Sequence, residues 1–341
     1  MAAGIFTQVT SRRKLMELAD SLMADLPYSA TMYNNLLLHA RGWLSTTRFY
    51  TLPTQPPSHT LLWQKTNVPS SIAVYCREAE FEQLIAALRE TPLLDWQRRL
   101  MIFHVPHYLV EPLKLLAKEL GSSPVIWGPN YTFTYLPNLD AELLRLVLTL
   151  PYRNFILAIS TVMGYIHQEV SSIFRNKPGF RVCKLVKTGL QHLLERSSFS
   201  KTQPLESTWS LSQHLPSVGV FLDSSVTKDS PLDLQHLHYS GNEETPVSWM
   251  SPTMYGSIGM LGTDDSYRNL GLGRLVIKVM GRLYASQGFI PNAHVAYDNP
   301  PSITTFSKIP GWENTHTAAW MAFEQTNGIS EISQDKAPQL L

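Results

Sequence analysis

The stretch YGSIGMLGTDDSYRNLGLGRL, from Tyr255 to Leu275, limits the fold more than any other part of the chain. A strand-like run enters a turn rich in glycine and polar residues, and an apolar helical repeat leaves it, so a strand must pass to a helix through a short loop. Arg268, Gly271 and Gly273 form an R-x-x-G-x-G pattern. Glycines let the backbone come close to a ligand, while the free N–H groups and dipole of the new helix face an anion. The pattern reads as an anion cradle with a diphosphate as its natural guest, and Arg268 and Arg274 can add charge-assisted hydrogen bonds. Taken alone it also fits a helix start softened by glycines. Neither G-x-G-x-x-G nor G-x-x-x-x-G-K-[ST] occurs, which argues against a dinucleotide fold and against a P-loop NTPase.

At 341 residues the chain holds about two domains of roughly 150 residues each, enough for a core without disulfide or metal staples. Hydrophobic residues make up 44% and charged residues 16%, the composition of a globular protein and not of a disordered one. Lys and Arg number 28 against 27 Asp and Glu, so no global field draws in a polyanion, and nucleic acid is not expected as a partner. Cys76 and Cys183 are far apart, which suggests neither a zinc site nor a disulfide framework. The apolar run Asn154 to Ile166, bounded by Arg153 and His167, falls short of the roughly 20 residues that span a bilayer and reads as a buried helix. Arg12, Arg13 and Lys14, with no acid in the first fifteen residues, are compatible with a mitochondrial address and equally with an ordinary helix start.

Apolar spacing predicts a helix over Leu15 to Leu26, stopped by Pro27, and then three strands, Met32 to His39, Leu61 to Lys65 and Ser71 to Arg77, as a meander around the Pro- and Thr-rich stretch Thr51 to Thr60. A helix over Glu80 to Arg89, a strand over Leu100 to Val105 and a helix over Leu109 to Leu120 complete an α+β pattern up to about residue 140. Residues 141–196 read as mostly helical with a break at Pro178-Gly179, and the polar Ser197 to Ser212 reads as flexible. Strands follow at Val218 to Leu222, Pro246 to Met250 and Tyr255 to Leu261 in hairpin geometry. A helix from about Asn269 to Gln287 and a strand over Asn292 to Asp298 come next, and residues after Asp335 read as a frayed tail.

Strand, cradle, helix and the later HVAYDN of His294 to Asn299 resemble the core of a GNAT-type acyl-CoA acyltransferase. Pro216 to Phe221, Pro246 to Trp249, Gly259-Met260, Gly262-Thr263, Tyr267-Arg268 and His294-Val295 are similar, more narrowly, to the glycine N-acyltransferase family. Thr91 to Trp96, Leu26 to Ser29 and Tyr33 resemble the N-terminal domain of that family. The resemblance implies an α+β fold of two GNAT-like halves in tandem, with mixed central sheets flanked by helices. Residues 1–140 form a half without the cradle, 141–330 the acyl-CoA-binding half, and 331–341 a tail. It further implies that Met260 and Leu261 offer backbone groups to the pantetheine arm, that Arg268, Gly271, Gly273 and Arg274 take the pyrophosphate, and that Asn299 holds the coenzyme from the other side. The thioester would lie where the strands Tyr255 to Leu261 and Asn292 to Asp298 splay apart. An amine, glycine or a related small amino acid, would attack it directly and release coenzyme A. Mitochondria are the compartment implied, the cytoplasm the alternative.

That chemistry needs a base to take the ammonium proton and N–H donors for the oxyanion. Ser257 stands at the strand position where the family's glycine conjugases place a glutamate, and a serine cannot serve as a base at neutral pH. Glu243, Glu244, Asp264, Asp265 and His294 are the substitutes. His294 is preferred for its pKa range, against a hydrogen-bonded structural role. The tyrosine acid of GNAT-type enzymes has no counterpart: Phe306 is near its place, and Tyr297 is an alternative. The polar stretch Asp223 to Glu244 reads as a surface insertion or as a lid. His236 and His238 lack a third ligand, so no metal is expected. His104 and His107 read as structural, and Trp249, Trp312, Trp320, Phe289 and Phe306 as core or pocket wall. A coenzyme-binding or scaffold protein without turnover is the rival to an enzyme.

Overall fold

The computed structural model describes residues 5–44, 46–53, 59–66, 70–135, 177–197, 203–227 and 230–325. Contacts divide the chain into two units, Met1–Thr132 with Val295–Asn299 and Thr315–Gln339, and Phe133–His294 with Pro300–Asn314 and Leu340–Leu341. The first half of the chain contributes β1 (Thr7–Val9), α1 (Arg12–Leu22), α2 (Ala30–Ala40), β2 (Thr47–Thr51), β3 (Leu61–Lys65), β4 (Ser71–Tyr75), α3 (Phe81–Glu90), β5 (Leu100–Pro106), α4 (His107–Glu119) and β6 (Ser122–Tyr135). The second contributes β7 (Phe180–Lys184), α5 (Lys187–Glu195), α6 (Leu205–Ser212), β8 (Val218–Leu222), β9 (Ser248–Pro252), β10 (Ile258–Thr263), α7 (Leu272–Ser286), β11 (Asn292–Ala296), α8 (Pro300–Ser307) and β12 (Trp312–Gln325). Among the described residues the second series repeats the first, as strand, two helices, three strands, helix, strand, helix and long strand. The expected tandem α+β halves are therefore present in the order of elements.

One sheet has eight strands in the order β1-β2-β3-β4-β5-β12-β6-β11, the other four in the order β10-β9-β8-β7. In both halves the first four strands pair antiparallel, and β4 pairs parallel with β5. Helices bury apolar stripes. In α1, which packs on α2, Leu15, Leu18 and Leu22 are buried and the Ser11 hydroxyl caps the Lys14 N–H. In α7, Leu272, Leu275, Val276, Val279 and Met280 form the buried face.

The expected strand over Met32 to His39 is the helix α2, nearly all of it buried. A short apolar run has no period to separate strand from helix, and a helix covered on every side shows no polar face. The meander exists with β2 in its place, ending where the Pro- and Thr-rich stretch begins. Two further readings are corrected: Phe180–Lys184 is the strand β7 and not helix, and the polar Leu205–Ser212 is the helix α6, on which Leu211 is buried. The strands β6 and β12 were not anticipated. The expected helix over 141–176, the run Asn154 to Ile166 and the tail 331–341 lie outside the described residues.

The segment between β8 and β9 is tied to the sheet. The Lys184 N–H donates to the His238 carbonyl at 2.8 Å and the Ser240 N–H to the Lys184 carbonyl at 2.9 Å, so the segment covers the edge of β7. Arg181 on β7 grips both ends of the segment, with Nε 3.2 Å from the Asp223 carboxylate and an η nitrogen on Glu244. Leu237 within it is buried.

The ladder between β9 and β10 runs Ile258 to Pro252 and Gly259 to Ser251, then resumes at Gly262 to Trp249. Met260 and Leu261 stand at this break, and Met260 has φ +53°. This is a β-bulge, which turns backbone N–H and C=O groups out of the ladder. It is held on one face by Trp249, whose indole would lie 2.4 Å from any Cβ at Gly262. Met260 packs on the same apolar cluster as Trp249, with Cys183, Leu185 and Leu190. From α7, the buried Tyr284 hydroxyl donates to the Ser257 carbonyl at 3.0 Å and fixes the start of β10.

Gly262→Ala is expected to destabilise the protein by about 1–3 kcal/mol through overpacking against Trp249, read as a lowered denaturation midpoint, and an unchanged midpoint would refute that packing. In the first unit, His104 has both ring nitrogens enclosed and meets Trp320 edge to face at 5.6 Å. Burial, with His316 adding to it, lowers its imidazole to about 3, and burial lowers that of His316 to about 4. An unfolded histidine titrates near about 6.5, so below that pH the unfolded chain binds protons that the folded chain refuses. The stability due to the neutral rings is complete above pH about 6.5 and is lost as pH falls toward the folded values. Melting temperature should therefore drop between pH 6.5 and 5, less steeply in His316→Phe; parallel slopes would count against this coupling.

Candidate functional site

The turn from β10 into α7 combines two left-handed residues, Asn269 at φ +62° and Gly271 at φ +74°. Gly271 is the N-cap of α7, no side chain caps that helix, and its first turn holds no acid. Its leading N–H groups are thus free of a competing carboxylate and point at whatever lies beyond the turn. A Cβ at Gly273 would have Thr263 Oγ1 as its nearest neighbour at 3.6 Å, so the approach is open. Around the turn gather three cations. Arg274 is exposed, with a guanidinium nitrogen 3.5 Å from where a Gly271 Cβ would stand, and the Lys177 Nζ is 3.3 Å from the same point. Lys177 also donates to the Leu270 carbonyl. Arg268 is exposed and pairs with Asp265 at 2.7 Å. The structure thus brings Arg268, Gly271, Gly273 and Arg274 together, next to the bulge of Met260 and Leu261. Lys177 joins them from far upstream, where no local pattern marks it.

The corresponding connection in the first half is different. β4 pairs with β3 without a break in register, and the turn into α3 carries Glu78, Glu80 and Glu82. Carboxylates at a helix start occupy its dipole and repel phosphate. The same order of elements therefore holds a cradle once.

The expected proton-transfer residues are placed as follows. Ser257 lies in the turn before β10 and not on the strand; it is 2% exposed and its hydroxyl is 2.8 Å from the Thr253 hydroxyl. Ser71 opens β4 ahead of Ile72, and Ser257 directly precedes Ile258 at the start of β10, so a buried serine before this isoleucine also occurs in the half without a cradle. His294 lies partly buried on β11, and His104-Val105 on β5 repeats His294-Val295. β10 and β11 belong to different sheets, so His294 is not on a strand laddered to β10. Tyr297 follows β11, 41% exposed, and stacks on Tyr131 at 4.0 Å; desolvation and the Tyr131 hydroxyl raise its phenol above the ordinary range. Asn299 is exposed, with its N–H on the Ala296 carbonyl at 3.0 Å. Phe306 is buried on α8 between Phe133 and Trp312.

Of the acidic substitutes, Glu244 is held below the usual carboxylate range by its bond to Arg181, Asp264 pairs with Arg196 at 2.7 Å, Asp265 pairs with Arg268, and Glu243 is exposed. His236 pairs with Asp233 at 2.8 Å. Among the described residues no group of three or more His, Cys, Asp or Glu is arranged to hold a metal, and no helix is long and apolar enough to cross a membrane. One histidine on this unit was not singled out by the sequence: His192 on α5 meets Trp249 edge to face at 5.1 Å.

The bulge and the cradle fall within residues 238–321, which match the family model described as FR47-like protein, a GNAT-related domain. No curated protein matches the chain. An X-ray structure of a Drosophila protein is 14% identical, with a TM-score of 0.67, over 94% of this chain and 98% of that one. A GCN5-related N-acetyltransferase from Sphaerobacter thermophilus is 10% identical with a TM-score of 0.45, over 95% and 97% of the two chains. A GNAT-family acetyltransferase from Colwellia psychrerythraea is 9% identical with a TM-score of 0.41, over 94% and 99%. The chain has an α+β fold with sheets flanked by helices, shared over nearly its whole length with the Drosophila protein, and an FR47-like segment that includes the cradle.

Proposed function

We propose that the protein is an acyl-CoA-dependent N-acyltransferase, and that its second half binds the coenzyme. The observation that carries this reading is the joint presence of a bulged strand and an uncapped, cation-ringed helix start in the one half, and of a regular strand and an acidic helix start at the matching place in the other. The residues fit coenzyme A as co-substrate. N–H groups of α7 with Arg268, Arg274 and Lys177 suit a pyrophosphate, and the backbone groups of Met260 and Leu261, out of the ladder, suit the amides of a pantetheine arm. The bulge would also leave an N–H to meet a developing oxyanion. Glycine or a related small amino acid as the acceptor, and a mitochondrial setting, are proposals that rest on the family resemblance. The hydrogen-bonded Ser257, where a carboxylate base would be expected, favours a second reading in which the coenzyme binds without turnover.

Calorimetric titration with coenzyme A is expected to show one saturable site per chain. Arg268→Ala should weaken it by about tenfold, the value of one charge-assisted hydrogen bond, with little change in melting temperature. Absence of saturable binding, or two sites per chain, would sink the reading. Thiol release from acetyl-CoA with a panel of amino acids then separates the enzyme from the coenzyme-binding protein.

A further inference from the structure

We propose that His192 is the residue that accepts the proton of the incoming amine, at Nδ1, with Nε2–H turned toward Trp249. This inference rests on the acyltransferase reading. It starts from an anomaly: His192 Nε2 is enclosed and has no hydrogen-bond partner among the described residues, a situation that costs stability unless something else meets the atom. The ring stands edge to face on Trp249, at 84° and 5.1 Å. A ring N–H directed at an indole face is a weak hydrogen bond, whereas a lone pair there would meet π electrons. The proposed tautomer carries its hydrogen on Nε2, which leaves the lone pair on Nδ1. The side chain keeps part of its surface exposed, and Nδ1 makes no hydrogen bond among the described residues.

The location links the ring to the bulge. Trp249 fills the space over Gly262, and Met260 packs on the same cluster. α5 therefore places an imidazole against Trp249, the side chain that fills the space over Gly262 where the ladder resumes. The charged groups felt at the ring are Arg196 and Glu195 on α5 and Asp264 after β10. Burial and Arg196 lower its pKa, against the opposing pull of Asp264 and Glu195, a direction that favours the neutral ring. Ser257 and His294 have counterparts in the half without a cradle. His192 does not: counted from the paired leucines Leu15 and Leu190, its counterpart on α1 is Glu17, which pairs with Arg13 at 2.9 Å in solvent.

In the step proposed, an ammonium proton passes to Nδ1, the neutral amine forms the C–N bond to the thioester carbonyl, and the C–S bond breaks. The nitrogen's second proton goes to the leaving thiolate, and the imidazolium returns its proton to water. One proton is released overall.

The test uses the full chain, acetyl-CoA, and glycine and 2-phenylethylamine as acceptor probes. Wild-type kcat/KM should rise with pH along a limb below pH about 6.5, the ordinary histidine value. His192→Gln should lose that limb and fall by about 10²-fold or more at pH 7, while its affinity for coenzyme A by calorimetry stays within about twofold. His192→Ala should regain rate with added imidazole. Retention of the limb in His192→Gln, no rescue of His192→Ala, or a loss of coenzyme affinity matching the loss of rate would overturn the assignment. Wild-type protein that binds coenzyme A but releases no thiol with either probe would also overturn it. Failure of the wild type to bind coenzyme A would instead remove the reading beneath.

Discussion

At the bulge of β10, two residues stand where the ladder allows one, and a strand held in that shape cannot satisfy all its backbone groups from β9. The protein maintains this cost with three separate contacts. Trp249 occupies the space that a side chain at Gly262 would need, Met260 is anchored in the cluster with Cys183 and Leu190, and Tyr284 reaches back from α7 to the Ser257 carbonyl. Because β10 lies at the end of its sheet, the released groups face an unladdered edge and not another strand. The orientation of α7 follows, since it begins nine residues after β10 ends and its last turn is tied to where β10 begins.

The repeated order of elements makes the two halves controls for each other. Both have three antiparallel strands leading to a helix, both place Ser-Ile at the entry to the third, and both carry His-Val on the fifth-strand equivalent. Features shared by both halves are explained by the fold they share. At the turn itself the halves differ: glycines and cations, with Asp264 and Asp265 each paired to an arginine, on one side, and Glu78, Glu80 and Glu82 on the other. This contrast turns a weak motif into a physical argument about where an anion can sit, and it moves attention from Ser257 and His294 to residues that only the second half possesses.

Much of this was legible in the residues. β3 and β8 have the bounds that alternation and flanking turns predict, and the apolar period of α7 with its glycine start is plain. α2 is hard to read because its burial on every side erases the period, and β7 because five residues ahead of a helix carry too little pattern. The glycines and arginines of the cradle fall close together between Arg268 and Arg274 and are therefore visible. Lys177 and His192 reach the site through tertiary packing, and neither is marked by spacing; the arrangement of Trp249 over Gly262 that gives His192 its setting exists only once β9 and β10 are paired.

The grip of Arg181 on both Asp223 and Glu244 has a consequence for how such a chain can change over time. A segment whose two ends are pinned to one guanidinium is closed independently of its contents, and each doubling of its length adds only about 0.6 kcal/mol of closure entropy. New sequence spliced in ahead of Leu237 would leave the His238 and Ser240 bonds to β7 in place, which makes this the place where descendants of the protein could acquire novelty most cheaply.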